Sequence, residues 1–232
     1  MAGQDTILPA DAALPADAVS QEEAMQCWDE AAEEFAGHFK TDEEFFHKYM
    51  INPTLLDLLG DVKGKAVLDV ACGEGHFSRK LAEQAKGDIQ ITGIDSSKRL
   101  IDIAQKKNKL FSHCIRFLLG DASLLPCFLT PGSGWLLEDS PDKGKGKRIG
   151  WKTDNYHLGL VYHGVMTECD TKETYYFCRT LEDYFRALRK SGFVVMDLRE
   201  PLPPKELMEK HPNFKGEEKR SIILIMKCKL LV

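Results

Sequence analysis

Between residues 65 and 120 the apolar residues repeat one order: a short run, a glycine break, a stripe at helical spacing, and another short run. Ala66-Val67-Leu68-Asp69-Val70-Ala71 is apolar except for one acid and is stopped by Cys72-Gly73-Glu74-Gly75, which reads as a buried strand ending in a tight turn. Phe77 and Leu81 then fall at helical spacing within 76–84, and Ile89-Gln90-Ile91-Thr92-Gly93-Ile94-Asp95 alternates as a second strand. A helix from Ser97 to about Leu110 and a strand from Cys114 or Ile115 to Leu119 make a third round, which ends at Gly120-Asp121. Strand, helix and strand within about 30 residues form a right-handed crossover, so the pattern predicts an α/β fold with a doubly wound, mostly parallel sheet.

The flanks read differently. Leu-Pro-Ala-Asp-Ala occurs at 8–12 and again at 14–18, and residues 1–20 carry too little apolar surface to fold, so they are expected to form a disordered tail. Residues 21–60 are expected to form a helical cap. Ser20 with Glu23 makes a capping box for a helix whose stripe is Met25, Trp28, Ala32 and Phe35. A second helix runs from Thr41 through Phe45, Phe46 and Tyr49 until Pro53. The α/β half spans 61–126, and an inserted lid of 127–178 holds Trp135, Trp151, Tyr156, Tyr162, Tyr175 and Tyr176 among polar residues. Residues 179–232 supply a last helix and the closing strands of the same domain.

Composition narrows the class. The 232 residues are 43% hydrophobic and 29% charged, enough for one sizeable core and too apolar for a wholly disordered chain. Residues 1–60 hold 13 acids against 2 lysines, and the remainder holds 23 acids against 29 bases, so the front is an acidic arm. A balance this mild predicts no nucleic-acid partner, and no apolar run predicts a membrane one. The 7 cysteines are scattered, with no CxxC pair, which predicts neither a disulfide framework nor a metal site and suits the reduced cytoplasm. A small-molecule substrate is the expected partner; oligomeric state is not encoded in any pattern here.

In a parallel sheet of this kind the strand ends share one edge, where ligands sit. Asp69, Gly73, Gly75, Asp95 and Asp121 should converge there. Gly73 and Gly75 permit a left-handed backbone and let a ligand lie on bare main chain, while the following helix offers unpaired N–H groups. Asp95, about 20 residues beyond the turn, is placed to accept from ribose hydroxyls. Asp121 can take an adenine amino donor, and Asp69 can hold a cationic amino group. A nicotinamide or flavin site would use a similar turn, but its fingerprint needs Gly or Ala where this chain has Ser78. Three carboxylates suit a cationic nucleoside better than a pyrophosphate.

Val67-Leu68-Asp69-Val70-Ala71-Cys72-Gly73-Glu74-Gly75, then Thr92-Gly93-Ile94-Asp95-Ser96-Ser97, then Gly120-Asp121-Ala122, together resemble the cofactor motifs of class I S-adenosylmethionine-dependent methyltransferases. Gly60 to Gly64 before the first strand, and Arg179 to Phe185 leading into Gly192-Phe193, are similar to the small-molecule "type 11" branch. The resemblance implies a Rossmann-like sheet with S-adenosylmethionine as cofactor. Asp69, Gly73 and Gly75 would hold the methionine part, Asp95 the ribose, and Asp121 with Ala122 the adenine; Cys72 and Ser96 belong to the same motifs. Tyr49 resembles an aromatic that closes over the cofactor in related enzymes.

The resemblance also marks a departure. Only Ser123-Leu124-Leu125-Pro126 separates Asp121-Ala122 from a segment, Cys127 to Trp135, that resembles what normally follows the fifth strand. About 50 residues, two strand–helix units, would then be missing from the centre of the sheet. A rival parsing makes Leu158 to Met166 a replacement central strand. The deletion parsing is preferred, because Arg199-Glu200-Pro201 and Ser221 to Met226 look like the family's last two strands with their connector. The expected function is methyl transfer to a small organic molecule, the alternative a shortened chain that binds cofactor weakly or not at all. Trp135, Trp151, Tyr156 and His163 are candidate substrate residues, and Lys143 to Arg148 a loop that could draw an anionic acceptor. No catalytic residue is assigned, since an in-line displacement at a sulfonium carbon needs a base only when the acceptor carries a proton.

Overall fold

The computed structural model describes residues 3–6, 13–15, 18–38, 46–120, 126–127, 133–137, 147–165, 171–210, 216–221 and 223–231. The N-terminal elements are β1 (Gly3–Thr6), β2 (Ala13–Pro15), α1 (Gln21–His38), and a π-helical turn (His47–Ile51) that runs into α2 (Asn52–Leu59). The α/β half is β3 (Ala66–Val70), α3 (His76–Gln84), β4 (Gln90–Asp95), α4 (Lys98–Lys107) and β5 (Ile115–Leu119). Then follow β6 (Pro126–Cys127), β7 (Gly134–Leu137), β8 (Arg148–Lys152), β9 (Leu160–Gly164) and β10 (Thr174–Cys178). The chain closes with α5 (Leu181–Lys190), β11 (Phe193–Arg199), α6 (Lys205–Lys210) and β12 (Ile225–Leu230).

The crossover pattern yields a parallel sheet in the order β3-β4-β5, with Val67 opposite Ile91 and Ile91 opposite Ile115. That face carries the core, in which Ile91, Ile115 and Phe117 pack with Leu81 and Ala82 of α3 and Ile101 and Ala104 of α4. Side chains alternate along a strand, so Leu68, Thr92 and Arg116, and beside them Val70, Ile94 and Leu118, share the opposite face. Leu68 is 60% exposed and Val70 56%. The strand expected to be buried throughout is therefore half-buried on one side and exposed on the other. A doubly wound sheet covers both faces with helices, and among the described residues no strand pairs with β3 on its free side.

The last strand begins at Ile225, later than the Ser221 expected. β11 and β12 pair antiparallel, Phe193 opposite Leu230 and Arg199 opposite Ile225, after a helix capped by Thr180. The rival parsing is corrected: β9 pairs antiparallel with β10 and β2, in a separate sheet ordered β2-β9-β10-β6, and takes no place beside β3. A short return between two strands favours the antiparallel hairpin over a parallel neighbour, which needs a long crossover.

Two N-terminal expectations also change. The first twenty residues contribute β1, paired with β7, and β2, paired with β9. Main-chain hydrogen bonds at a sheet edge need no apolar side chains, which is what the composition lacked. The second helix does not end at Pro53. Pro53 lies in the first turn of α2, where its missing N–H costs nothing, and the helix continues to Leu59 and the left-handed Gly60. Residues 41–45 of that expectation lie outside the described residues. α1 ties the halves together: Ala32 and Ala36 pack on Leu100 and Ile103, while Ala24 joins Val161, Tyr175 and Phe177.

Candidate functional site

The turn after β3 is built from left-handed residues. Ala71 (φ 57°), Gly73 (φ 56°) and Gly75 (φ 77°) fold the chain back within five residues, held by Cys72 N–H on the Ile94 carbonyl (3.0 Å) and Gly75 N–H on the Cys72 carbonyl (2.9 Å). Gly75 also opens α3 as its N-cap. A Cβ there would lie 2.7 Å from Cε1 of Phe117, so absence of a side chain is required by space as well as by φ. Phe117, 3% exposed, fills the volume beneath the turn.

Two of the predicted acids meet at this edge. The Asp95 carboxylate accepts from Gly73 N–H (2.8 Å) and from Ser97 N–H (2.9 Å), pinning the glycine turn to the start of α4. Each oxygen retains further lone pairs. Burial nevertheless pushes Asp95 above the usual carboxylate range, with the N–H groups pulling it back. Asp69 accepts from the Ser78 hydroxyl at 2.6 Å. Burial, and then Asp95, hold Asp69 above its ordinary value against that hydrogen bond. Ser78, noted in the sequence only for not being glycine, is fully buried beside this acid. The Cys72 thiol is driven up by burial and by Asp69 and Asp95, so it stays protonated at neutral pH and is no nucleophile. Ser96 is buried next to Asp95.

The remaining candidates divide. Asp121 and Ala122 lie outside the described residues, as do the side chain of Trp135 and Lys143 to Gly146 of the basic loop. Tyr49 sits in the π-helical turn under the Lys48 ammonium, 5.0 Å from its ring centroid. Trp151 stacks on the Arg220 guanidinium at 4.2 Å. The Tyr156 hydroxyl accepts from Leu181 N–H at 2.8 Å. His163 stacks on Tyr175 with centroids 4.2 Å apart and lies 3.8 Å from Glu173. These contacts hold the three side chains to the connector after α6, to α5 and to β10. Besides Phe117, Phe35 of α1 reaches the turn, 3.2 Å from where a Gly73 Cβ would stand and edge-on to Trp28.

Sequence reasoning missed several residues that shape the site. Asp29 accepts from the Ser97 hydroxyl (2.5 Å) and from Arg99 N–H (3.1 Å), fixing α1 to the start of α4. Nothing in the local pattern announces a contact 68 residues away. Asn52, 2% exposed, lies 3.0 Å from His76 Nε2, next to the turn. Glu74 could have been noticed as an acid between two glycines, followed by Arg79.

Comparison with known proteins places the chain in a family. The family model described as a methyltransferase domain matches residues 61–223. The demethylmenaquinone methyltransferase of Bacillus licheniformis is 36% identical over 80 residues, 34% of this chain and 34% of that protein. The ubiquinone biosynthesis O-methyltransferase of Chromobacterium violaceum is 39% identical over 67 residues, 28% of each. The chain thus spans about a third of the length of the curated relatives it matches. A solved structure from Mesorhizobium loti, described as an S-adenosylmethionine dependent methyltransferase, superimposes with a TM-score of 0.54 at 19% identity, covering 76% of this chain and 95% of that one. One from Listeria monocytogenes gives 0.56 at 20% identity, covering 78% and 96%. At such identities the likeness shows the fold, a Rossmann-like one, and nothing more. With the family model matching well over half of its residues, this chain belongs to the methyltransferase domain family.

Proposed function

We propose that the chain binds S-adenosylmethionine at the glycine turn and transfers its methyl group to a small organic molecule. The observation that carries this reading is the Gly73-Glu74-Gly75 turn, pinned by Asp95 and bordered by Asp69 at the carboxyl edge of the parallel sheet. The residues fit that cofactor. Asp69 and Asp95 are both held above their ordinary range, a cost that a cationic ligand relieves and an anionic one increases. A pyrophosphate is thereby disfavoured, and a ligand with an ammonium and a sulfonium is favoured.

Bound there, S-adenosylmethionine supplies an electrophilic methyl carbon on a positive sulfur. Asp69 would accept from the amino group, the Gly73 and Gly75 main chain would lie against the methionine part, and Asp95 would take the ribose hydroxyls on its remaining lone pairs. Asp121 and Ala122 would meet the adenine. Phe35, packed on the turn with Trp28 edge-on to it, would exclude water from that side. The chain's contribution is alignment, and the acceptor's proton, where it has one, passes to solvent. The acceptor would enter from the 127–178 side. The relatives are named as a demethylmenaquinone methyltransferase and a ubiquinone biosynthesis O-methyltransferase, which supports an organic acceptor. The mild net charge of −5 supports a partner other than nucleic acid. Among the described residues no helix is long and apolar enough to cross a membrane, which is compatible with the cytoplasmic location expected from the cysteines.

Titration calorimetry with S-adenosylhomocysteine and, separately, with a reduced nicotinamide dinucleotide tests the cofactor. The reading requires saturable binding of the first and none of the second. Transfer of labelled methyl to a panel of small phenols, quinols, amines and carboxylic acids tests the reaction, and binding without any transfer contradicts it.

A further inference from the structure

The glycine turn contains a charged side chain that none of the roles above uses. The Glu74 side chain is fully buried, and both its oxygens lie 2.8 Å from Arg79 Nη2. Lys107 Nζ approaches Glu74 Oε2 to 2.5 Å and donates to the Ala36 carbonyl at 3.3 Å. Arg79 Nη1 returns to the main-chain carbonyl of Glu74 itself, at 2.6 Å. Arg79 belongs to α3, Lys107 ends α4, and Ala36 lies in α1. Three helices thus converge on the residue between two left-handed glycines. Burying a carboxylate with its cations is a poor way to gain stability compared with an apolar side chain of the same size, whereas it fixes direction well.

We propose that Glu74 is a positioning residue for the cofactor. By gripping Arg79 and Lys107 it sets the turn so that the Gly73 and Gly75 backbone is presented to the ligand, and affinity depends on Glu74 without contact between them. This rests on the cofactor reading above. The turn itself has two reporters, Gly73 N–H held on Asp95 and Gly75 N–H held on the Cys72 carbonyl. A side chain that merely stabilises the fold would leave these two amides no more affected than any others.

The test uses the full chain, with Glu74→Gln and Lys107→Met as variants. Amide hydrogen exchange by NMR and calorimetry with S-adenosylhomocysteine are the readouts. Glu74→Gln should speed exchange at Gly73 and Gly75 about tenfold or more, leave Ile101 and Ala104 of α4 within about twofold, and weaken binding about tenfold or more. Lys107→Met, which keeps the Arg79 pair, should show the same pattern at smaller size and carries the test if Glu74→Gln does not fold. Equal exchange and equal affinity in all three proteins overturns the inference and leaves the cofactor reading intact. Absence of binding by the unaltered chain overturns both.

Discussion

Residues 61–120 and residues 181–230 have equally clear local signals and very different surroundings. In the first, α3 and α4 bury Leu81, Ala82, Leu100, Ile101 and Ala104 almost completely. In the second, α5 has a full capping box between Thr180 and Asp183 and a sharper apolar stripe than α3 or α4, yet buries none of its residues. Phe185 remains 46% exposed, and Met196 on the adjoining strand 60%. Propensity and caps decide that an element forms; neighbours decide whether its apolar face is buried. Among the described residues no strand pairs with β3 on its free side, and β11 pairs with β12 alone.

The comparison can be broken by one pair of equal substitutions. Phe117→Ala removes a ring packed under the glycine turn and should cost about 3–5 kcal/mol in denaturant unfolding. Phe185→Ala, half exposed on α5, should cost less than about 1 kcal/mol. Comparable losses would show that the second region is as well packed as the first.

Asp95→Asn comes next in size. It replaces an acceptor of two N–H groups by an amide whose NH2 faces one of them, so stability should fall by about 1–3 kcal/mol and S-adenosylhomocysteine affinity with it. A pH series then separates stability from binding. Asp69 and Asp95 have folded values above their ordinary ones, so the native state holds protons more tightly than the unfolded chain. Their contribution to stability therefore improves as pH falls from neutral through the raised values, and levels off below the ordinary value of about 3.9. Affinity for a ligand with an ammonium group should run the other way and weaken over that window, because protonation removes the charge that holds it. Asp69→Asn should flatten the binding profile. The smallest effect expected from a lost hydrogen bond is that of Thr180→Ala, about 1 kcal/mol from the α5 cap, read by circular dichroism on melting.

Much of the fold was legible because its signals are local. The alternation at 89–95, the Ser97 cap and the glycine break after 71 all lie within one or two turns of what they determine. The clustering of Asp69 with Asp95 followed from the rule that parallel strands share an edge. What was not legible depends on distant partners. Asp29 reaches Ser97 across the fold, Phe35 reaches Gly73, and Ser78 became meaningful only beside Asp69. The run Ala66 to Ala71 looked like a strand buried on both sides because composition records what a strand is suited to, and not whether its neighbour is present. Trp151, Tyr156 and His163, read as candidate substrate residues, also have partners that the local pattern does not announce. Aromatic rings among polar residues serve equally to stack on Arg220, to accept from Leu181 or to cover Tyr175.

The central claim is that an adenosyl ligand lies on the glycine turn between Asp69 and Asp95. A titration of the isotopically labelled chain with S-adenosylhomocysteine, followed by amide resonances, tests it at residue resolution. The account predicts saturable shifts at Gly73, Gly75, Ser96 and Ser97, with Phe185, Met196 and Leu198 unmoved. Shifts confined to the 181–230 region, or none at any concentration, would contradict it.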